Sequence, residues 1–322
     1  MMANGRAWAG VYCSLLAFVS FDAAAQDARW WLDRMNRAVV ELNYEGTFVH
    51  VLGNNTETMH IIHRNHHGRI SERLVSLDGV GREIIREEDV VKVIFPDKRL
   101  VLLETRKDTS PLVSALPNYS AELEPHYEFT LYDTARVAKR PVQVVAIKPK
   151  DEYRYGYTLW LDRDTAMPLK SVLQDERGEV IEQILFTQIQ ISDFIPASAL
   201  HPAIDTEGFT FLRAPEEPPP TEFTPPEYRA SMLPRGFRLS AATQSAIAGS
   251  DHPVAHLVYS DGLATVSVFI EDPKTSSEVA EGFSRVGSTN AYSLTLNGRK
   301  VTAIGEVPRK TVRSIAMSLT AE

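Results

Sequence analysis

Residues 44–79 read YEGTFVHVLGNNTETMHIIHRNHHGRISERLVSLDG. Runs rich in Val, Ile, Thr and Phe are held apart by Gly53-Asn54-Asn55, by residues 65–68 and by Asp78-Gly79. β-Branched and aromatic side chains at a period of two suit half-buried strands, and Gly, Asn and Asp tolerate the backbone of tight turns. The stretch predicts an antiparallel meander. It continues past Pro96-Asp97-Lys98 to about Glu104, with about six strands in all.

Upstream the period changes. Trp31, Met35, Ala38, Val39 and Leu42 recur at three- and four-residue spacing, and Asp27 can cap the start, so an amphipathic helix over 28–42 precedes the first strand. Downstream, residues 109–125 interrupt the pattern with Pro and Ser and leave room for one short helix near 112–116. Strands resume at 127–136, 141–147, 155–162, 168–174 and 180–191. About eleven strands are more than a flat sheet usually holds, so curling into a barrel or half-barrel is expected.

Composition then breaks. Six prolines lie between Pro215 and Pro226, with three glutamates among them, and read as an extended, semi-rigid linker. From about Tyr228 a second unit begins, with strand-like runs at 237–239, 254–259, 263–271, 291–296 and 300–304. Ser260-Asp261-Gly262 and Asn297-Gly298 are hairpin turns, and Val312, Ile315, Ala316 and Leu319 mark one face of a closing helix. The expected organisation is a mainly β (α+β) chain: a signal segment over 1–25, a large domain over 26–212, a linker over 213–227 and a small α+β domain over 228–322. A stiff tether suggests that the small domain gains little stability from its neighbour.

The signal segment is read from Arg6, the short apolar run 7–19 and Ala23-Ala24-Ala25, which predict export to the periplasm and cleavage before Gln26. The apolar run is shorter than the ~20 residues a bilayer requires. The chain's one cysteine, Cys13, falls inside this segment, so no disulfide framework is expected. A net charge of -8, with the acidic excess in the large domain, argues against a nucleic-acid partner.

Motifs for chemistry are sparse. His60, His63, His66 and His67 are dense enough to suggest a metal. However, His60 and His63 are an odd number apart on one strand and so point to opposite faces, which favours a solvated hairpin end and no metal site. No H-E-x-x-H, G-x-S-x-G, phosphate-loop or dinucleotide signature occurs, so no catalytic residues and no cofactor are expected. Tyr153, Tyr155, Tyr157 and Trp160 crowd one strand, with Phe129, Tyr132 and Phe186 on others. They suit an acyl-chain cavity and a closed core equally well.

Five segments resemble the periplasmic negative regulators of the envelope-stress sigma factor, the RseB/MucB family. They are YEGTFVHV (44–51), PDKRLVLLE (96–104), YRYGYTLWLDRDTAMPLKS (153–171), VYSDGLATVSVFIE (258–271) and NGRKVTAIGEVP (297–308). The resemblance implies an unclosed antiparallel β-barrel with helices in its mouth, similar to the LolA/LolB lipoprotein carriers, plus a smaller C-terminal domain. It implies a partner, the periplasmic segment of a membrane-spanning anti-sigma factor, which the regulator shields from proteolysis. It also implies release on sensing lipopolysaccharide or another acylated lipid.

On that footing the lipid cavity is expected to use Phe129, Trp160 and Phe186, and the anti-sigma segment to meet Tyr259, Phe269 and Arg309. By strand alternation Tyr259 and Phe269 read equally well as ordinary core. The alternatives are a lipid or lipoprotein carrier, which needs only the half-barrel, and a periplasmic hydrolase. Oligomeric state is left open, a homo-oligomer included.

Overall fold

Helix α1 (Val19–Glu41) leads into a sheet of twelve strands. The computed structural model describes residues 19–79, 81–105, 112, 116–214, 228–246, 253–271 and 281–321. The first meander is β1 (Asn43–Leu52), β2 (Asn55–His66), β3 (Arg69–Ser76), β4 (Glu83–Glu87), β5 (Val90–Phe95) and β6 (Leu100–Thr105). The second is β7 (Tyr127–Val137), β8 (Arg140–Pro149), β9 (Gly156–Asp162), β10 (Pro168–Gln174) and β11 (Val180–Ser192). β1 pairs with β11 and joins the two meanders into one sheet. β12 (Thr210–Arg213) then adds in parallel to β6.

The sheet order runs from β12 through β1 and β11 to β7, and no described strand bridges β7 and β12, so the barrel is open. All eleven expected strands are present. The helix begins nine residues earlier than its period suggested and runs through the expected cleavage site. No described helix is long and apolar enough to cross a membrane. The short helix expected at 112–116 falls outside the described residues, apart from Leu112 and Leu116.

Apolar side chains of α1 bury against the sheet. Ala28, Leu32 and Met35 pack with Tyr127, Phe129, Val145, Ile147, Leu159 and Leu161. Val39 packs in a second cluster with Tyr44, Phe48, Met59, Ile61, Leu74, Ile184 and Phe186. Gly46 lies where β1 meets β11: a Cβ there would stand 2.6 Å from the Gln188 carbonyl oxygen and 3.1 Å from the Phe186 ring. Its hydrogen lets the two meanders close on each other.

The histidine run divides by strand alternation. His60 bonds Thr47 and Glu45, whereas His63 is buried, stacks on Tyr44 with centroids 4.6 Å apart and meets Glu72 Oε1 at 2.7 Å. The expectation of a solvated hairpin end therefore holds for His66 and His67 and fails for His63, because the Tyr44 ring and the Glu72 carboxylate supply a buried place for an imidazole.

The small domain holds β13 (Tyr228–Ala230), β14 (Arg238–Ala246), β15 (Pro253–Ser260), β16 (Thr265–Glu271), β17 (Gly282–Val286), β18 (Thr289–Leu296), β19 (Arg299–Gly305), α2 (Arg309–Met317) and β20 (Leu319–Ala321). Six of these strands form a sheet in the order β14-β15-β16-β19-β18-β17, while β13 pairs with β20. Val312, Ile315 and Ala316 of α2 pack on Val266, Val268, Val301 and Ala303. Of the proline-rich linker expected at 213–227, residues 215–227 lie outside the described residues.

Candidate functional site

Two concave features stand out. The first is a cavity of about 720 Å³ in the large domain, with apolar walls from Phe48, Met59, Leu74, Ile84 and Ile184, and with Leu112. Its rim is polar. His50 Nε2 lies 2.7 Å from Glu182 Oε1, and Arg82 makes paired hydrogen bonds to the Glu57 carboxylate. An apolar floor under a ring of paired charges suits a ligand with a greasy body and a polar head.

Of the three residues expected to line a lipid site, only Phe186 adjoins this cavity, through Phe48, whose ring is 5.4 Å away. Phe129 is buried near the other end of the sheet, edge-on to Tyr119 in the cluster that α1 covers. Trp160 packs at the margin of the Phe186 cluster, beneath the Lys170 ammonium 4.4 Å from its ring, and does not line the cavity. The lining residues are apolar positions of β1 to β4 and β11, which the sequence marks only as strand positions.

Between the domains lies a buried joint. Arg154, from the β8–β9 loop, is fully buried, and its Nε donates to Asp261 Oδ2 of the β15–β16 turn at 2.5 Å. Its other donors reach Asp151 and the Arg235 carbonyl, and its guanidinium lies 5.1 Å from the Phe237 ring and 5.7 Å from Tyr127. The Tyr127 hydroxyl donates to Asp261 Oδ2 at 3.0 Å, and burial together with that carboxylate pushes the phenol far upward, so it stays protonated. Asp261 Oδ1 accepts from the N–H groups of Leu263 and Ala264 at 2.9 and 2.7 Å. The small domain therefore does lean on its neighbour, contrary to the tether argument: a turn carboxylate satisfies a cation buried in the other domain.

Beside this joint is the second concavity, a cleft of about 320 Å³. The large domain contributes Glu152, Tyr155, Asp175, Glu176, Glu179 and one cation, Arg177, which leaves that wall net acidic; the small domain contributes Arg285, Asn290, Arg309 and Lys310. Its floor is ordered: Asn290 Nδ2 donates to the Tyr155 hydroxyl and to the Val307 carbonyl, both at 2.8 Å, and Asn290 Oδ1 is buried without a protein partner. Arg309 and Lys310 begin α2, where the helix dipole already concentrates positive charge, and no acidic residue relieves them in that first turn. The arrangement offers an electropositive wall facing an acidic one.

Arg309 lines the cleft, with its guanidinium 4.4 Å from the Phe283 ring. Phe269 faces away from Val266, Val268 and Ile270 and is partly buried, stacked on His256 with centroids 4.4 Å apart. Tyr259 takes the core alternative. It is wholly buried, and its hydroxyl accepts the Ala230 N–H at 2.9 Å, so it presents no surface to a partner.

Family models for the MucB/RseB N-terminal and C-terminal domains match residues 27–204 and 222–320. The chain belongs to the MucB/RseB family. It is 33% identical to the sigma factor AlgU regulatory protein MucB of Pseudomonas aeruginosa, over 96% of this chain and 95% of that one. To the sigma-E factor regulatory protein RseB of Escherichia coli K12 it is 25% identical, with 89% of each chain covered. A solved complex of Pseudomonas aeruginosa MucA with MucB matches with a TM-score of 0.71 and 31% identity, covering 92% of this chain and 99% of that one. A solved structure of MucB matches with a TM-score of 0.59 and 30% identity, covering 92% of this chain and 98% of that one.

Proposed function

We propose that the protein is a periplasmic negative regulator of envelope-stress sigma-factor signalling. It holds the periplasmic segment of a membrane anti-sigma factor and shields it from proteolysis. The observation that carries this reading is the match of both domains, together and in order, to a MucB solved with its MucA partner. The interdomain cleft is the place for the segment. It is built from both domains, and its oppositely charged walls suit a chain of mixed charge. Arg309 at its edge has the chemistry of an interface anchor.

The cavity of the large domain serves sensing. Its apolar walls accept an acyl chain, at about 0.8 kcal/mol for each buried CH₂, while the His50–Glu182 and Arg82–Glu57 pairs stay at the head-group level. Lipid entry releases the anti-sigma segment. Export with cleavage before Gln26 follows from the signal segment. No step requires a catalytic group, which agrees with a regulatory and binding family.

The test is calorimetric titration of the mature chain with the periplasmic segment of the host's anti-sigma factor, with and without an acylated lipid. Tight binding that weakens as lipid is added supports the whole reading. Absence of binding refutes the regulatory role. Binding indifferent to lipid refutes the sensing role, as does an unchanged melting temperature at saturating lipid, where ligand at about a hundred times its Kd adds about 2.7 kcal/mol.

A further inference from the structure

Strand β17 is the outermost strand of the small domain's sheet, paired only with β18 among the described residues. Sheet edges are usually blunted against adding another strand by bulges, shortness or charge. The described edges differ in this respect. β7 carries a register break between Tyr132 and Ala135, and β14 carries one between Leu239 and Ala241. β12 is four residues long and runs toward the proline-rich stretch. β17 keeps an unbroken register with β18 over all five residues, and Val286 is 82% exposed.

Its position adds meaning to that open edge. Arg285 lines the interdomain cleft, and Phe283 lies beneath the Arg309 guanidinium and beside Tyr292. We infer that the free edge of β17 takes up the extended anti-sigma segment as an added strand, with alternate side chains of that segment entering the cleft. This deepens the reading of the protein as an anti-sigma binder and rests on it.

The geometry says which backbone groups take part. Val286 and Thr289 flank the two-residue turn Gly287-Ser288, with Gly287 at φ +59°, and residues flanking such a turn form a hydrogen-bonded pair. Alternation makes Ser284–Ala291 the next bonded pair and leaves Phe283–Tyr292 and Arg285–Asn290 unbonded across the ladder. The N–H and C=O groups of Phe283 and Arg285 therefore point off the free edge. These are the groups an incoming strand meets. Of the two side chains, Arg285 lines the cleft and Phe283 packs under Arg309 at its margin; Asp175, Glu176, Glu179 and a single Arg177 stand opposite, and Asn290 Oδ1 lacks a protein donor. Basic side chains at alternate positions of the segment fit the acidic wall, and an acidic one fits Arg309.

Amide hydrogen exchange on the full mature chain, free and saturated with the periplasmic segment of the host's anti-sigma factor, tests this. The Phe283 and Arg285 amides should exchange at least about ten-fold more slowly in the complex, while Ser284, already bonded to β18, changes little. Arg285→Pro deletes one outward donor without touching a ladder bond and should weaken binding about ten-fold; Arg285→Ala keeps the donor and should cost less than about three-fold. If Arg285→Pro unfolds the domain, the exchange pattern of the unmodified chain still decides. Binding without protection at Phe283 and Arg285, or with protection at β12 or β14 alone, overturns strand addition and leaves the regulatory reading standing. No binding by the unmodified chain overturns that reading itself.

Discussion

Asp261→Asn isolates the joint between the domains. The replacement keeps an oxygen at Oδ1 for the Leu263 and Ala264 N–H groups, so the β15–β16 turn retains its bonds. At Oδ2 it places an NH₂ against two donors, Arg154 Nε at 2.5 Å and the Tyr127 hydroxyl at 3.0 Å. Arg154 has no solvent to turn to, since it is 0% exposed. Removing one member of a buried ion pair costs about 3–5 kcal/mol because the remaining charge is uncompensated. Asp151 still reaches the guanidinium, so the lower end, about 3 kcal/mol, is expected.

In a domain of roughly 200 residues each kcal/mol shifts the melting temperature by about 2–4 °C, which gives a fall of about 6–12 °C. The form of the transition should also change. Arg154 and Asp261 belong to different domains, so scanning calorimetry should show one peak splitting into two. Arg154→Met removes the stranded charge, and the double variant should recover at least about 1 kcal/mol relative to the sum of the singles. A fall below about 2 °C with a single peak, or additivity within about 0.5 kcal/mol, refutes the claim that this pair couples the domains.

Other outcomes follow from single residues. Gly46→Ala should destabilise the large domain by about 1–3 kcal/mol in urea titration, because its Cβ meets the Gln188 carbonyl and the Phe186 ring. Burial works to raise the Asp162 carboxyl, but Arg140 and Thr165 outweigh it and hold the carboxyl below its ordinary range. Its stabilising contribution is therefore complete above the unfolded value of 3.8 and lost as pH falls through the lower folded value, and Asp162→Asn should flatten the acid limb of the stability profile. Arg309→Glu should leave the melting temperature nearly unchanged, since a carboxylate in the first turn of α2 gains about 0.3–1 kcal/mol while the contact with Phe283 forfeits a similar amount. The same change should weaken binding of the anti-sigma segment about ten-fold or more, read by titration.

The strands were legible because their signals are local. β10 falls at 168–174 as its apolar run predicts, and Asn297 and Gly298 take the positive φ that a tight hairpin requires. Ala138 and Lys139 also take positive φ, and no turn-forming residue type marks them. β12 and β17 escaped notice because TFLR and GFSRV are short, largely exposed and without a buried alternation. The joint escaped for a different reason. Asp261 looks like a simple turn carboxylate in Ser260-Asp261-Gly262, and its partner is 107 residues away in sequence. Arg154 did carry a signal, a charge within the aromatic run YRYGY where a buried segment should exclude one. Aromatic crowding in the sequence does not mark the cavity, because Phe129 and Trp160 fill other parts of the packing while Met59, Leu74 and Ile184 leave the space.

Three of the five segments that resemble the regulator family reach this joint or the cleft beside it. Arg154 lies in the stretch 153–171, Asp261 in 258–271, and Val307 and Pro308 at the end of 297–308 beside the cleft. A peptide-holding cleft between two freely tethered domains would have to order both walls each time it bound. A buried ion pair fixes the walls beforehand, so the ordering cost falls mainly on the incoming segment. On the proposed reading, specificity for an extended partner depends on the spacing between the acidic turn of the large domain and the edge strand of the small one, which the Arg154–Asp261 bond helps to set. A substitution that loosens the joint should therefore weaken binding of the anti-sigma segment without touching a contact residue, whereas a change at Arg309 should weaken it with the joint intact.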